Sequence, residues 1–432
     1  MAQGVIDVHS HIITPDWAAS LQTEGRLMDE GFPLPKYNTD DHLTWMDTAG
    51  VQKSVLTMPA PQPSSAKAVR SANETMARLK QKHPTRFLFC AALPLPDVQA
   101  ALREAVYALD TLKADGIKLA TNARGQYLGA PELDTLFALL NQRGAVVILH
   151  PHRPEPVNTQ VMQQTPLALQ EYLSETTRAV ANMISRNVLA RYPNVKVVVP
   201  HCGAYLPLAI PRMKSLAPVM QANKLIGHID WDKNLEALYY DLAGAHSPQV
   251  IRMLLTITTP THLLYGSDYP YVAPQVLTQS LQRMRQYLTA EPDLAPYKEM
   301  ILHRNAERLF GKQQPLSPSN PKQATMIVRL AEIEVYPEHL EEYLSYANEV
   351  DRLSVEREPG VIFLFPMQST DDPTHIRILE IYASDEAYQQ HLKTDHFQKY
   401  KQGTLHMVRS LNLPTMRPLD PDTMKQIFSK QQ

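Results

Sequence analysis

The chain has 432 residues, with 42 Lys and Arg against 44 Asp and Glu, a formal net charge of −2 and 44% apolar residues. A chain of that length buries a sizeable core without covalent staples, and its balanced charge lacks the basic excess that nucleic-acid or membrane-surface binding requires. Two cysteines exclude a disulfide scaffold and fit a reducing compartment. The opening MAQGVIDVHSHI has no basic n-region and no long apolar run, and no window reaches about 18 apolar residues. The expected location is therefore cytoplasmic, with no membrane and no nucleic acid among the partners.

Residues 1–311 read as alternating strands and helices. Strands are expected at 5–8, 54–58, 87–92, 116–120, 146–149, 196–199, 237–242 and 262–266. Helices are expected between them at 65–82, 98–113, 131–143, 176–191, 248–255 and 275–288. The strands are near-continuous apolar runs, as in parallel strands covered on both faces. Eight such units predict an α/β fold, a (β/α)8 TIM-like barrel. No Gly-rich phosphate loop supports the alternative, a doubly wound sheet. Residues 14–38 show no period and read as a long loop over the active-site face. Residues 312–323 (KQQPLSPSNPKQ) are a linker by composition. Residues 324–417 then change texture: strand 325–335, helix 338–358, strands 361–368 and 376–383, helix 384–401 and strand 405–413. This β-α-β-β-α-β order is ferredoxin-like, and 418–432 is a tail.

The chemistry gathers at strand ends. Strand 1 closes with Asp7-Val8-His9-Ser10-His11, and alternation puts His9 and His11 on one side, the pattern of a metal-binding pair. His150 follows strand 5, His201 strand 6 and Asp268 strand 8. Five such residues from four strands converge on the C-terminal mouth, where barrel active sites lie. Polar side chains aimed into a barrel need partners, and one divalent metal supplies them together.

These residues resemble the amidohydrolase superfamily, and within it the metal-dependent decarboxylase branch of aminocarboxymuconate-semialdehyde, γ-resorcylate and 6-methylsalicylate decarboxylases. The stretches 122–129, 175–182, 240–244 and 264–270 are most similar to the 6-methylsalicylate end. The branch often has His-Ala-Gly-Gly where this chain has His201-Cys-Gly-Ala204, and Asp-Thr-Thr-Arg where it has Glu175-Thr-Thr-Arg178; the ligands stay intact. The resemblance implies that His9, His11, His150 and Asp268 bind one divalent metal. Zn²⁺ is the first choice and Mn²⁺ the alternative, with no organic cofactor. Lys118 lies on strand 4 but before its end, where binuclear members carry a bridging lysine, and reads as a structural lysine. His201 is the general acid/base candidate, and Asp268 a second carrier of the proton. Arg178 and Arg124 are candidates to steady an anionic substrate through forked hydrogen bonds. Asp241 either orients a ligand or is structural. His152 and Arg153 stay unassigned, and Cys90 and Cys202 read as buried thiols.

Residues 325–417 resemble the antibiotic biosynthesis monooxygenase family, on Glu358-Pro-Gly360, Glu380-Ile-Tyr382 and the helix running through His391 to His396. That family pairs its sheets into dimers, and some members oxidise phenols with O2. His391 and His396 lie five apart, not at the helical metal spacing, and read as a solvated face or pocket lining. The chain is therefore expected to be a metal-dependent non-oxidative decarboxylase of a salicylate-type acid, with a C-terminal domain for dimerisation or product oxidation. The alternative is a metal-dependent hydrolase of a lactone, amide or ester. The expected partners are a small aromatic or cyclic acid and further copies of the chain, as a dimer or dimer of dimers.

Overall fold

The computed structural model describes residues 4–158, 160–161, 165–311, 327–358, 360–383 and 385–416. The chain divides into two compact units, Met1–Gln313 and Gln314–Gln432. The linker expected at 312–323 and the tail expected at 418–432 lie outside the described residues. Among the described residues no helix is long and apolar enough to cross a membrane.

In the first unit, parallel strands pair in chain order: β1 (Val5–His11), β2 (Val51–Thr57), β3 (Phe87–Ala92), β4 (Gly116–Ala120), β5 (Val146–His150), β6 (Lys196–Val199), β7 (Leu238–Asp241) and β8 (Leu263–Leu264). The sheet closes on itself, because Val8 N–H donates to the Tyr265 carbonyl at 3.0 Å and Ser10 bridges Tyr269 in parallel. This is the expected (β/α)8 barrel. Alternation explains the apolar runs. On β5, Val146 and Ile148 point inward to join Ile6, Val55 and Val198, while Val147 and Leu149 point outward to the helix layer.

Three expectations for this unit are corrected. Strand 262–266 pairs only over Leu263–Leu264, because Tyr265 N–H leaves the ladder for the Ile301 carbonyl and the chain turns at Asp268, φ 66°. Residues 14–38 are not all loop. Helix Pro15–Thr23 is started by Thr14, whose hydroxyl accepts Trp17 N–H at 3.3 Å, and by Pro15 at its first position. Trp17 and Leu21, one turn apart, are fully buried. The helix expected at 176–191 runs Glu171–Ser185, and Asn187 at φ 52° separates it from the short turn Val188–Arg191.

The second unit is an antiparallel sheet in the order β10-β11-β9-β12, formed by β9 (Ile327–Val335), β10 (Val361–Gln368), β11 (His375–Tyr382) and β12 (Val408–Asn412), with β13 (Thr415–Met416) also beside β9. Helix Leu340–Arg357 covers one face through Tyr343, Ala347 and Val350. The second expected helix is two, Asp385–His391 and Asp395–Thr404, because Thr394 accepts Phe397 N–H and starts a new one. The β-α-β-β-α-β order otherwise stands.

Candidate metal and substrate site

The end of β1 is fixed to the turn after β8 by Asp7. Its carboxylate accepts Ser267 N–H at 2.9 Å, Ser267 O–H at 2.6 Å and His9 N–H at 3.1 Å. Burial pushes Asp7 up to about 7 against these donors. The register of β1 on β2 shifts between Asp7 and Ser10, and a bulge re-aims side chains. His9 and His11 meet there with ring centroids 5.1 Å apart. His150 ends β5 and stands 5.3 Å from His9 and 4.8 Å from His11 by the same measure.

Hydrogen bonding fixes which nitrogen of each ring is free. His9 Nδ1 donates to Asp241 Oδ2 at 2.8 Å, and His150 Nδ1 donates to the Pro151 carbonyl at 2.9 Å. Thr57 spends its own proton on the Ser10 carbonyl at 2.9 Å, so its oxygen accepts from His11 Nδ1 at 2.8 Å. In the neutral rings all three Nε2 atoms are thereby bare lone pairs. His11 Nε2 lies 3.2 Å and His9 Nε2 3.5 Å from Asp268 Oδ1, and neither makes an aligned hydrogen bond. Lone pairs facing a carboxylate repel unless a positive charge sits between them. One ligand atom from each of His9, His11, His150 and Asp268 lies within 4.8 Å of the others. Three imidazoles and a carboxylate of this kind fit a divalent cation, with Asp241 and Thr57 orienting the rings from behind.

The electrostatics divide the three rings. Burial opposes charge on His9, but Asp241 and Asp268 outweigh it and hold its pKa well above the ordinary value, so a cation in the cup would displace a proton from this ring. Burial drives His11 down to about 4 and His150 well below the usual range, so both are neutral, as ligands must be. Burial would raise Asp268, yet His11, His201 and His9 hold it well below the usual carboxylate value.

His201 stands at the rim. Its Nε2 is 3.8 Å from Asp268 Oδ2, and its main-chain N–H donates to Asp241 Oδ1 at 3.0 Å. His201, Cys202, Ala204 and Asp268 all take left-handed φ between 52° and 66°, a costly backbone that clusters at functional sites. A cavity of about 480 Å³ opens onto the cup, with His150, His201, Asp268, Phe32, Tyr172 and Tyr271 in its lining and largely apolar residues beyond. That volume suits a single-ring ligand.

The structure places neither arginine candidate in this lining. Arg178 is bound to the buried carboxylate of Glu175 and to Tyr127 Oη at 3.2 Å. Arg124 contacts Ser64 Oγ and borders a separate space of about 30 Å³ together with Lys118 and His152. Lys118 points inward from β4, with Nζ buried and unbonded; burial pushes it down to about 8 against the pull of Glu30. Arg153 faces Asp29 at 3.6 Å and Glu155 at 3.8 Å. Cys90 and Cys202 are buried, and burial pushes both thiols up. In the second unit, His391 and His396 are not on a solvated face. Both hold Glu358 Oε1, at 3.0 and 2.6 Å, and His391 is 3% exposed. Sequence reasoning missed Glu30, Phe32, Tyr172 and Tyr271; the first two lie in the aperiodic stretch after helix Pro15–Thr23.

A closed (β/α)8 barrel with a three-histidine, one-aspartate cup at its C-terminal mouth is the build of a metalloenzyme. The chain belongs to the amidohydrolase family, whose model matches residues 6–312, and residues 326–403 match the antibiotic biosynthesis monooxygenase family. Decarboxylase yanB of Aspergillus niger is 30% identical over 328 residues, 72% of this chain and 88% of that protein. The 6-methylsalicylic acid decarboxylase of Penicillium expansum is 31% identical over 276 residues, 61% and 84% of the two chains. The same fold occurs in the crystal structure of a dihydroxybenzoic acid decarboxylase from Polaromonas with bound manganese and the inhibitor 2-nitroresorcinol. Its TM-score is 0.58 at 19% identity, over 73% of this chain and 99% of that one.

Proposed function

We propose that the chain is a metal-dependent, non-oxidative decarboxylase of a hydroxylated, salicylate-type aromatic acid. The observation that carries this reading is the cup of His9, His11, His150 and Asp268 opening onto an apolar cavity of single-ring size. The decarboxylases among its relatives support it. A divalent cation held by these four residues would supply Lewis-acid polarisation of a bound acid. Zn²⁺ suits the donor set, and the manganese in the Polaromonas structure keeps Mn²⁺ alongside it.

The chain's own residues do the rest. Phe32, Tyr172 and Tyr271 hold the ring and exclude water, which orients the acid over the cup. His201 delivers a proton to the ring carbon bearing the carboxyl group, and Asp268, 3.8 Å away, stabilises the charged imidazole and serves as its relay. The bond from ring to carboxyl breaks, its electron pair restores the aromatic ring, and CO2 leaves.

The test is CO2 release from a panel of salicylate-type acids by the metal-loaded protein. Release from at least one acid is expected; opening of a lactone, amide or ester panel with no CO2 would replace this reading with the hydrolase one. For the C-terminal unit, the exposed apolar face of its sheet, with Phe365 52% exposed, favours dimerisation.

A further inference from the structure

Away from the barrel, a second set of ligand-type side chains converges on one point in the C-terminal unit. Glu358 follows helix Leu340–Arg357, His391 ends helix Asp385–His391, and His396 lies in the first turn of helix Asp395–Thr404. On one continuous helix, residues five apart point about 140° away from each other. Here Thr394 breaks the helix: its hydroxyl donates to the His391 carbonyl at 2.9 Å and accepts Phe397 N–H at 3.4 Å. Both rings then turn to the same carboxylate. The third corner is set by Gly360, where a Cβ would stand 2.5 Å from Ala387 Cβ. The chain just after Glu358 therefore lies directly on the helix that carries His391. Tyr382 and Phe397 pack against the His391 ring, with centroids 5.2 and 4.6 Å away, and fix its direction.

His391 Nδ1 lies 3.0 and 3.2 Å from the two Glu358 oxygens, and His396 Nε2 lies 2.6 Å from Oε1. One ligand atom from each of the three residues falls within 4.8 Å of the others. A cation with arms of about 2.1 Å spaces neighbouring donors about 3.0–3.4 Å apart. The rings thus stand close to the spacing that a shared ion requires, with only a small withdrawal of His396. Two imidazoles and one carboxylate suit Zn²⁺ or Fe²⁺ and leave further positions for water. The side chains of Glu358 and His396 are each 12% exposed, so an ion can enter from their side while His391 forms the floor.

We propose that Glu358, His391 and His396 form a second metal site, which takes one divalent transition-metal ion and is separate from the barrel cup. It holds whatever reaction the barrel performs.

The test isolates this site in the full chain. His9→Ala together with His11→Ala removes two ligands of the barrel cup. That protein is stripped with a chelator, dialysed against Zn²⁺ alone and assayed for bound zinc. About one equivalent should remain. Adding His396→Ala should remove it, and adding Glu358→Gln, which keeps the side chain's shape and an acceptor for a ring N–H, should weaken it by more than the ~10–100-fold that losing an outer partner costs. Carboxylate–imidazole hydrogen bonding alone would bind no zinc, so Glu358→Gln separates a metal site from a structural cluster even if His396→Ala fails to fold. No bound zinc in the His9→Ala, His11→Ala protein overturns the proposal. So does an equivalent that keeps its affinity in Glu358→Gln.

Discussion

Asp241 ties together two parts of the site. Oδ2 accepts from His9 Nδ1 at 2.8 Å, while Oδ1 accepts the main-chain N–H groups of His201 at 3.0 Å and Ala243 at 3.1 Å. The carboxylate therefore sets both the tautomer of a proposed metal ligand and the position of the proposed proton donor. Asp241→Asn keeps the shape but offers only one oxygen, so either His9 or the His201 turn loses its acceptor. Metal affinity should fall by ~10–100-fold, as measured by competition with a coloured chelator; an unchanged affinity would reduce Asp241 to a packing residue. The five strand-end residues were legible because each closes or follows an apolar run at the barrel's C-terminal mouth, although the register shift on β1 and the left-handed turns at His201 and Asp268, rather than strand alternation, aim four of them. Asp241 was legible only as an open choice, since its partner His9 is 232 residues away. The surroundings of Arg178 were not legible: its charge is plain in the sequence, but the buried Glu175 that captures it declares itself only once helix Glu171–Ser185 packs. Glu30 was hidden for a similar reason, because no periodicity orients its segment.

At the scale of elements, strand and helix identity mostly followed from apolar runs, and the errors fell at ends and turns and in 14–38, where a helix was read as loop. Just past the end of β8, Gly266 lets the chain pass the His9 Cβ, 2.8 Å from where its own Cβ would stand. Such an approach is invisible without the neighbouring strand. Helix Leu340–Arg357 of the second unit has a liability of another kind. Its Asp351 lies against Glu380 of β11, and its Oδ2 is buried without a hydrogen bond. Burial first, then Glu380, pushes Asp351 up from 3.8 to about 7. A raised folded pKa means that the native state holds the proton more tightly. The stabilising contribution is full below the ordinary carboxylate range and is lost as pH rises through about 7. Asp351→Asn cannot ionise. It should come closest to the wild type below about pH 4 and be the more stable by ~1–4 kcal/mol near pH 8.5. Hydrogen exchange of this helix in the full chain, at both pH values, reads the difference; equal protection at the higher pH would contradict it.

At the scale of the whole molecule, one chain carries an amidohydrolase-family barrel and a small unit whose sheet, among the described residues of that unit, has its helices on one face. Ile376 and Ile378 of β11 point into the core under those helices. Leu379 therefore points the other way, level with Phe365 on β10 and Leu330 on β9, since residues directly opposite in an antiparallel pair share a face. Met367 continues the row. Phe365 is 52% and Met367 40% exposed. A row of apolar side chains across three strands is the self-complementary kind of patch that a two-fold axis can bury, because each copy offers the other the same surface. The full chain is expected to be a dimer or a dimer of dimers. Phe365→Glu together with Met367→Glu would then place two charges from each copy in the middle of that contact. Light scattering coupled to gel filtration should show the mass falling to half, while the metal content of the barrel stays at about one equivalent, because the cup is built from strand ends of the first unit alone. A double variant that keeps the wild-type mass would mean that the chains associate through some other surface.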